Sequence, residues 1–251
     1  MFRASLTNPL ISFFIDNFPS LTQIVIWGPL SLIWAYTCLL LSGHLKRAQQ
    51  LKTGYTRKIF HFMILISAAL IQSLWGVGTL FIFGAATSAI VFYAVFRGAG
   101  HLLYEAIARE TDQPRRTYYI VIPYFATLLG GIVSNVLFGG VAVVGYLVTG
   151  FGDGVGEPVG TRFGKHTYRV PSFGPVKAIR SYEGSLAVLV VSVIATAVGI
   201  LTLPDMTLGV ESIPLIIIIG FVCTIVEAVS PHGWDNATMQ IIPSLLVWSW
   251  F

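Results

Sequence analysis

Charge is what this chain has least of. Asp, Glu, Lys and Arg make up 10% of its 251 residues, against about a quarter in a soluble domain. A surface so poor in charge is not kept in water, and the mean hydropathy of +0.78 agrees. Cysteine is scarce as well. Cys38 and Cys223 both lie inside apolar runs, which argues against disulfide or zinc chemistry and leaves two small buried hydrophobes. The N-terminal residues show neither a basic n-region nor a small-residue cleavage site, so the sequence predicts no signal peptide. The basic residues are spread over loops without an aromatic stacking platform, which speaks against nucleic-acid binding. What fills the chain instead is apolar sequence, 55% of all residues.

A spanning helix needs about 20 mostly apolar residues. Candidate spans are 21–42, 58–75, 76–96, 117–134, 136–151, 184–202 and 212–229, with a shorter eighth at 237–251. The expected fold is therefore all-α: a polytopic transmembrane helical bundle of 7–8 spans, forming a single integral membrane domain over 1–251. The stretch 117–151 is too long for one helix and short for two. Its split is placed at Asn135, because Gly130, Gly131, Gly139 and Gly140 permit a tight hairpin. Residues 1–20, with Phe13, Phe14, Asp16 and Phe18 ahead of Pro19, are expected to form an interfacial segment.

The basic residues orient the spans. Lys46, Arg47, Lys52, Arg57 and Lys58 fall between spans one and two. Arg97, Arg109, Arg115 and Arg116 fall between three and four, and Arg162, Lys165, Arg169, Lys177 and Arg180 between five and six. The alternate loops carry no Lys or Arg. The positive-inside rule then places the three basic loops in the cytoplasm and the N-terminus outside. The formal charge of +4 is a topological signal first, and it also suits anionic lipid and a polyphosphate ligand.

Residues 150–184 hold most of the chemistry, in what reads as a Gly-rich cytoplasmic catalytic loop. Gly150, Gly152, Gly154, Gly156, Gly160 and Gly164 let backbone N–H groups approach a phosphate. Arg162, Lys165, Lys177 and Arg180 can neutralise a triphosphate, and Asp153, Glu157 and Glu183 can hold the divalent metal it brings. Both signs in one Gly-rich stretch suit phosphoryl or nucleotidyl transfer. A P-loop is absent, since only three residues separate Gly160 from Gly164 and His166 stands where the hydroxyl belongs. The Gly152, Gly154, Gly156 spacing is not a dinucleotide fingerprint either.

Two further constellations stand apart. Arg57-Lys58-Ile-Phe-His61 opens span two, and helical spacing puts Arg57 and His61 on one face. Glu227 closes an apolar run, where an acid is costly and a functional candidate. Asp235 and Asn236 follow after Pro231 and Gly233, at a turn where either can also cap the last helix. Residues 100–110 look like a surface connector of helical spacing.

The order Arg57-Lys58-x-x-His61, Gly152-Asp153-Gly154, Gly160-x-x-Phe163-Gly164-Lys165, Ser181-x-Glu183-Gly184-Ser185, Glu227, Asp235-Asn236 resembles the dolichol kinase and phytol kinase group. That group includes CTP-dependent diacylglycerol kinase and is related to phosphatidate cytidylyltransferases. The resemblance runs from about residue 55 to 245, with Arg180 where the family usually has Lys. It implies CTP as co-substrate, a divalent cation (Mg²⁺ or Ca²⁺) and a membrane lipid alcohol as acceptor. Asp153, with Glu183 or Glu227, would hold the metal. Lys165, Lys177 and Arg180 would neutralise the transferring group, and Asp235, Glu227 or His61 would take the hydroxyl proton. Arg57, Lys58, His61, Gly152, Gly154, Gly160, Arg162, Gly164, Ser181, Gly184 and Asn236 would complete the nucleotide site. A cytidylyltransferase working through the same residues, and a transporter with Glu227 in an ion path, are the alternatives.

Overall fold

The computed structural model describes residues 9–170, 178–204, 206–231 and 233–251. A short helix α1 (Pro9–Asp16) precedes α2 (Leu21–Gln49), which Ser20 and Gln23 start with a reciprocal capping box. Helix α3 (Thr53–Arg97) contains a break at Gly76, whose φ of +79° is open to glycine but not to other residues at low cost. On a straight helix Phe60 and Ala94 would lie about 50 Å apart. They share one buried cluster, so the chain doubles back at Gly76, where the sequence placed the boundary between two spans.

Helix α4 (Leu102–Ile107) leads to α5 (Tyr118–Phe138). The turn expected at Asn135 falls instead at Gly139, with φ +57°. Asn135 stays helical with its side-chain Nδ2 held inside the bundle, donating to Gly131 O at 2.9 Å and to Tyr146 Oη at 2.6 Å. Then follow α6 (Ala142–Val148), a π-helical turn (Thr149–Asp153) and α7 (Gly154–Phe163). The Gly-rich stretch is thus helical through Phe163 rather than a loop. Its glycines serve close approach: a Cβ at Gly156 would meet Val188 Cγ2 at 2.6 Å, and one at Gly160 would meet Ser181 Oγ at 2.9 Å. Strands β1 (Thr167–Val170) and β2 (Ala178–Ser181) pair antiparallel, Thr167 opposite Ser181, in a hairpin that the sequence did not foretell. Helices α8 (Tyr182–Leu201), α9 (Ser212–Val229) and α10 (Asp235–Trp250) complete the chain.

Helix α6 is buried along its whole length and forms the centre of the main core with Val188, Ile200, Ile219, Cys223 and Met239. Outside it, large apolar side chains face outward all around, such as Trp34, Leu74, Phe96, Val190 and Ile217. Only a lipid surround accommodates such a surface. Among the described residues, five helical segments are long and apolar enough to cross a membrane: Leu21–Gln49, Thr53–Arg97, Tyr118–Phe163, Tyr182–Leu201 and Ser212–Val229. The second and third are 45 and 46 residues long, more than twice the length one crossing requires.

Candidate functional site

Six elements meet around one charged chamber. The first turns of α3 bring Arg57, Lys58 and His61. The π-turn and α7 bring Asp153 and Glu157, β2 brings Arg180, and α9 and α10 bring Glu227 and Asp235. On α3 the residues Arg57 and His61 are four apart, and so are Asp153 and Glu157 on the facing segment. Helical spacing therefore sets two complementary faces against each other. Arg57 Nη2 binds Glu157 Oε2 at 2.6 Å, Lys58 Nζ binds Asp153 Oδ1 at 2.5 Å, and His61 Nε2 lies 3.4 Å from Asp153 Oδ2.

Across the chamber Arg180 bridges two acids, with Nε 3.0 Å from Glu227 Oε1 and Nη2 2.8 Å from Asp235 Oδ2. Asp153, Glu227 and Asp235 are all buried and each offers a carboxylate oxygen within 4.8 Å of the others. The cavity between these groups measures about 680 Å³. Four cations (Arg57, Lys58, Arg109, Arg180) and five acids (Asp112, Asp153, Glu157, Glu227, Asp235) line it. Buried charges persist only when paired, and here the pairing is nearly complete. Arg57 Nε and Arg180 Nη1 remain as buried donors with no hydrogen-bond partner among the described residues.

The chamber takes in part of what the sequence singled out. Arg57, Lys58, Asp153, Gly160, Arg180, Ser181, Gly184, Glu227 and Asp235 line it. Ser181 also caps α8, its Oγ accepting from Gly184 N–H at 3.1 Å. Other candidates point elsewhere. Arg162 and Lys165 are exposed, the Arg162 guanidinium lying over the Phe163 ring at 5.3 Å. Gly152 is buried against Ser192, Gly154 sits by Phe62, and Gly164 abuts Ser181, all as packing contacts. Glu183 does not join the three clustered acids; it faces His166, with Oε1 3.0 Å from Nδ1. Asn236 ties α10 to α5, its amide donating to Pro123 O at 3.1 Å and Thr127 Oγ1 at 2.9 Å. Lys177 lies outside the described residues.

Sequence reasoning missed Arg109 and Asp112, and Glu157, read there as a possible metal ligand, is instead paired with Arg57 and Arg109. Arg109 Nη1 reaches Glu157 Oε1 at 3.2 Å and its Nε holds Asp112 Oδ2 at 2.9 Å. Their one sequence signal is opposite charge three residues apart, which many surface turns share. The connector that carries them is anchored firmly. Lys46 Nζ donates to Glu105 O at 2.8 Å, to Glu110 Oε1 at 2.6 Å and to Thr53 Oγ1. Arg116 Nη2 donates to Glu105 Oε2 at 2.6 Å. Burial raises the Glu105 carboxyl, but hydrogen bonds from Arg116 and Gly100 N–H, with Lys46 nearby, outweigh it and hold this acid below its ordinary range.

Fold and chamber together define a helical membrane protein that gathers carboxylates and cations around one buried chamber. Over 131 residues, 50% of its length, the chain is 29% identical to a phytol kinase from Synechocystis sp.. It covers 52% of that relative, so it spans about half the length of the curated protein it matches. The similarity supports the resemblance to the dolichol kinase and phytol kinase group. No family model and no solved structure matches the chain.

Proposed function

We propose that the protein is a lipid-alcohol kinase. It moves the γ-phosphoryl group of a nucleoside triphosphate, CTP on the strength of the family resemblance, to a prenol, phytol or diacylglycerol-like hydroxyl at the cytoplasmic face. The observation that carries this reading is the mixture of signs around one chamber: three carboxylates within 4.8 Å, facing Arg57, Lys58, Arg109 and Arg180. Phosphoryl transfer depends on positioning and charge neutralisation more than on covalent chemistry by the protein, and this chamber supplies both.

Hard carboxylate oxygens suit Mg²⁺ or Ca²⁺, and Asp153, Glu227 and Asp235 would hold the ion, a set that leaves out Glu183. A divalent ion supplies neutralisation of the nucleotide's phosphates. The open donors Arg57 Nε and Arg180 Nη1 fit phosphate oxygens. In the transfer, the lipid hydroxyl oxygen attacks the γ-phosphorus and the bond from that phosphorus to the β–γ bridging oxygen breaks. The nucleoside diphosphate leaves with the electron pair, and a protein group takes the hydroxyl proton. Glu227 and Asp235 line the chamber themselves, whereas His61 stands behind Asp153, which favours a carboxylate for that role.

The breaks at Gly76 and Gly139 turn the two longest apolar segments back on themselves. This supports seven or eight crossings, with the N-terminus outside and the chamber cytoplasmic by the distribution of Lys and Arg. The test is purified protein in lipid given CTP labelled at the α- or the γ-phosphate, with prenols, diacylglycerol and phosphatidate offered in turn. Label from the γ position in lipid is the expected result. Label from the α position would make the protein a lipid-phosphate cytidylyltransferase, and label from neither would overturn both.

A further inference from the structure

A second cavity, of about 300 Å³, lies between α3, α5 and α10 and shares no lining residue with the charged chamber. Leu65, Ala68, Phe83 and Leu128 give it apolar walls. It opens toward the lipid-facing surface, since Ala85 and Ile132 on its rim are exposed. The hydroxyls of Ser88, Tyr124, Thr127 and Tyr146 on its wall are already hydrogen-bonded within the protein, and three further oxygens interrupt the apolar lining. Thr87 Oγ1, Asn135 Oδ1 and Gln240 Oε1 belong to buried residues, and none has a hydrogen-bond partner among the described residues. Neither amide is free to turn. Asn135 Nδ2 is committed to Gly131 O and Tyr146 Oη, and Gln240 Nε2 donates to Thr127 O at 3.0 Å and Asn236 O at 2.7 Å. Both carbonyl oxygens are therefore presented as acceptors only, and each costs about 1–3 kcal/mol if left dry.

A mostly apolar cavity, open to lipid, with fixed acceptors and one unpartnered hydroxyl on its wall asks for an apolar molecule carrying an O–H donor. We propose that it binds a lipid alcohol drawn sideways from the bilayer. The alcohol's hydroxyl donates to Asn135 Oδ1 or Gln240 Oε1 and accepts from Thr87 Oγ1. Naming this ligand as the kinase acceptor, held here before its hydroxyl moves to the chamber, rests on the reading above; the binding itself does not.

The test uses the full chain in nanodiscs with hexadecanol carrying a diazirine and an alkyne, and with the methyl ether of the same probe, which cannot donate. The alcohol is expected to label segments 80–88 and 124–135 at least about fivefold more than the ether, the worth of one hydrogen bond. Thr87→Val keeps shape, removes no hydrogen bond within the protein, and is expected to weaken alcohol labelling about fivefold. Ala85→Trp, at the lipid-facing rim, is expected to abolish it. Equal labelling by alcohol and ether, label confined to other segments, or indifference to both variants overturns the proposal. Labelling here by a protein that phosphorylates no alcohol sinks the kinase reading and leaves this one standing; turnover without labelling here does the reverse.

Discussion

The two cavities solve the problem of polar groups in a membrane bundle in opposite ways. In the charged chamber four cations answer five acids among the described residues, and Arg57 Nε, Arg180 Nη1 and the nearby His61 Nε2 have no hydrogen-bond partner there. In the second cavity the polar groups are neutral, and three of them, on Thr87, Asn135 and Gln240, have no partner among the described residues. On the proposed kinase reading, the first arrangement exchanges its internal ion pairs for the charges of phosphate and metal. The second offers acceptors without a protein partner, and such acceptors discriminate strongly between molecules with and without a donor.

The comparison breaks most readily at Asp153. Asp153→Asn is expected to lower phosphoryl transfer at least about a thousandfold, the scale of losing a group that stabilises the transition state. Membrane insertion and monodispersity in detergent should stay intact; unchanged turnover with γ-labelled nucleotide would remove Asp153 from the site. Glu157→Gln comes next. It releases Arg57 and Arg109 from their shared carboxylate, and kcat/KM should fall about thirtyfold, equivalent to about 2 kcal/mol for a charge-assisted hydrogen bond.

A paired measurement sharpens the contrast. In detergent without lipid, Ser181→Ala removes a satisfied cap in the chamber wall and should cost about 1 kcal/mol. Thr87→Val removes an unanswered hydroxyl from the apolar cavity and should stabilise by up to about 1 kcal/mol. Thermal unfolding that shifts both variants in the same direction would erase the distinction.

The smallest effect is expected outside both cavities. The Glu105 carboxyl is held below its ordinary range in the folded protein. Its contribution is therefore present at neutral pH, above the unfolded value, and is lost as pH falls through the lower, folded one. Solvent screening keeps it under about 1 kcal/mol. Glu105→Gln should lower Tm slightly at pH 7 and flatten its decline on acidification; an unaltered slope would show that the pair with Arg116 is inert.

How much of this could be seen in the sequence varied with the kind of signal. Arg57 and His61 stood out by helical spacing, and Asp153 by standing with cations in a Gly-rich stretch; both are local properties. Glu227 stood out as an acid in an apolar context. Arg109 and Asp112 did not, because a connector's approach to the chamber depends on how α4 packs against α2 and α3 and on the Lys46 and Arg116 anchors. Glu183 looked like a metal ligand, yet its position at the start of α8 turns it toward His166. The glycines near 150–164 read as a phosphate loop, but the same residue type permits helices to touch, and Val188 and Ser181 on the facing element decide between the two uses.

By itself, the sequence determined that this is a predominantly helical chain for a lipid environment, that its basic residues gather in alternate loops, and that acids and cations recur near those loops. These follow from composition and period, which do not depend on distant contacts. Tertiary structure alone decided which acids meet, that Arg180 bridges Glu227 and Asp235, that the turn falls at Gly139, and that a mostly apolar cavity presents three oxygens without a partner among the described residues. Each of those depends on residues far apart in the chain being brought within a few ångströms, and no local pattern encodes that distance.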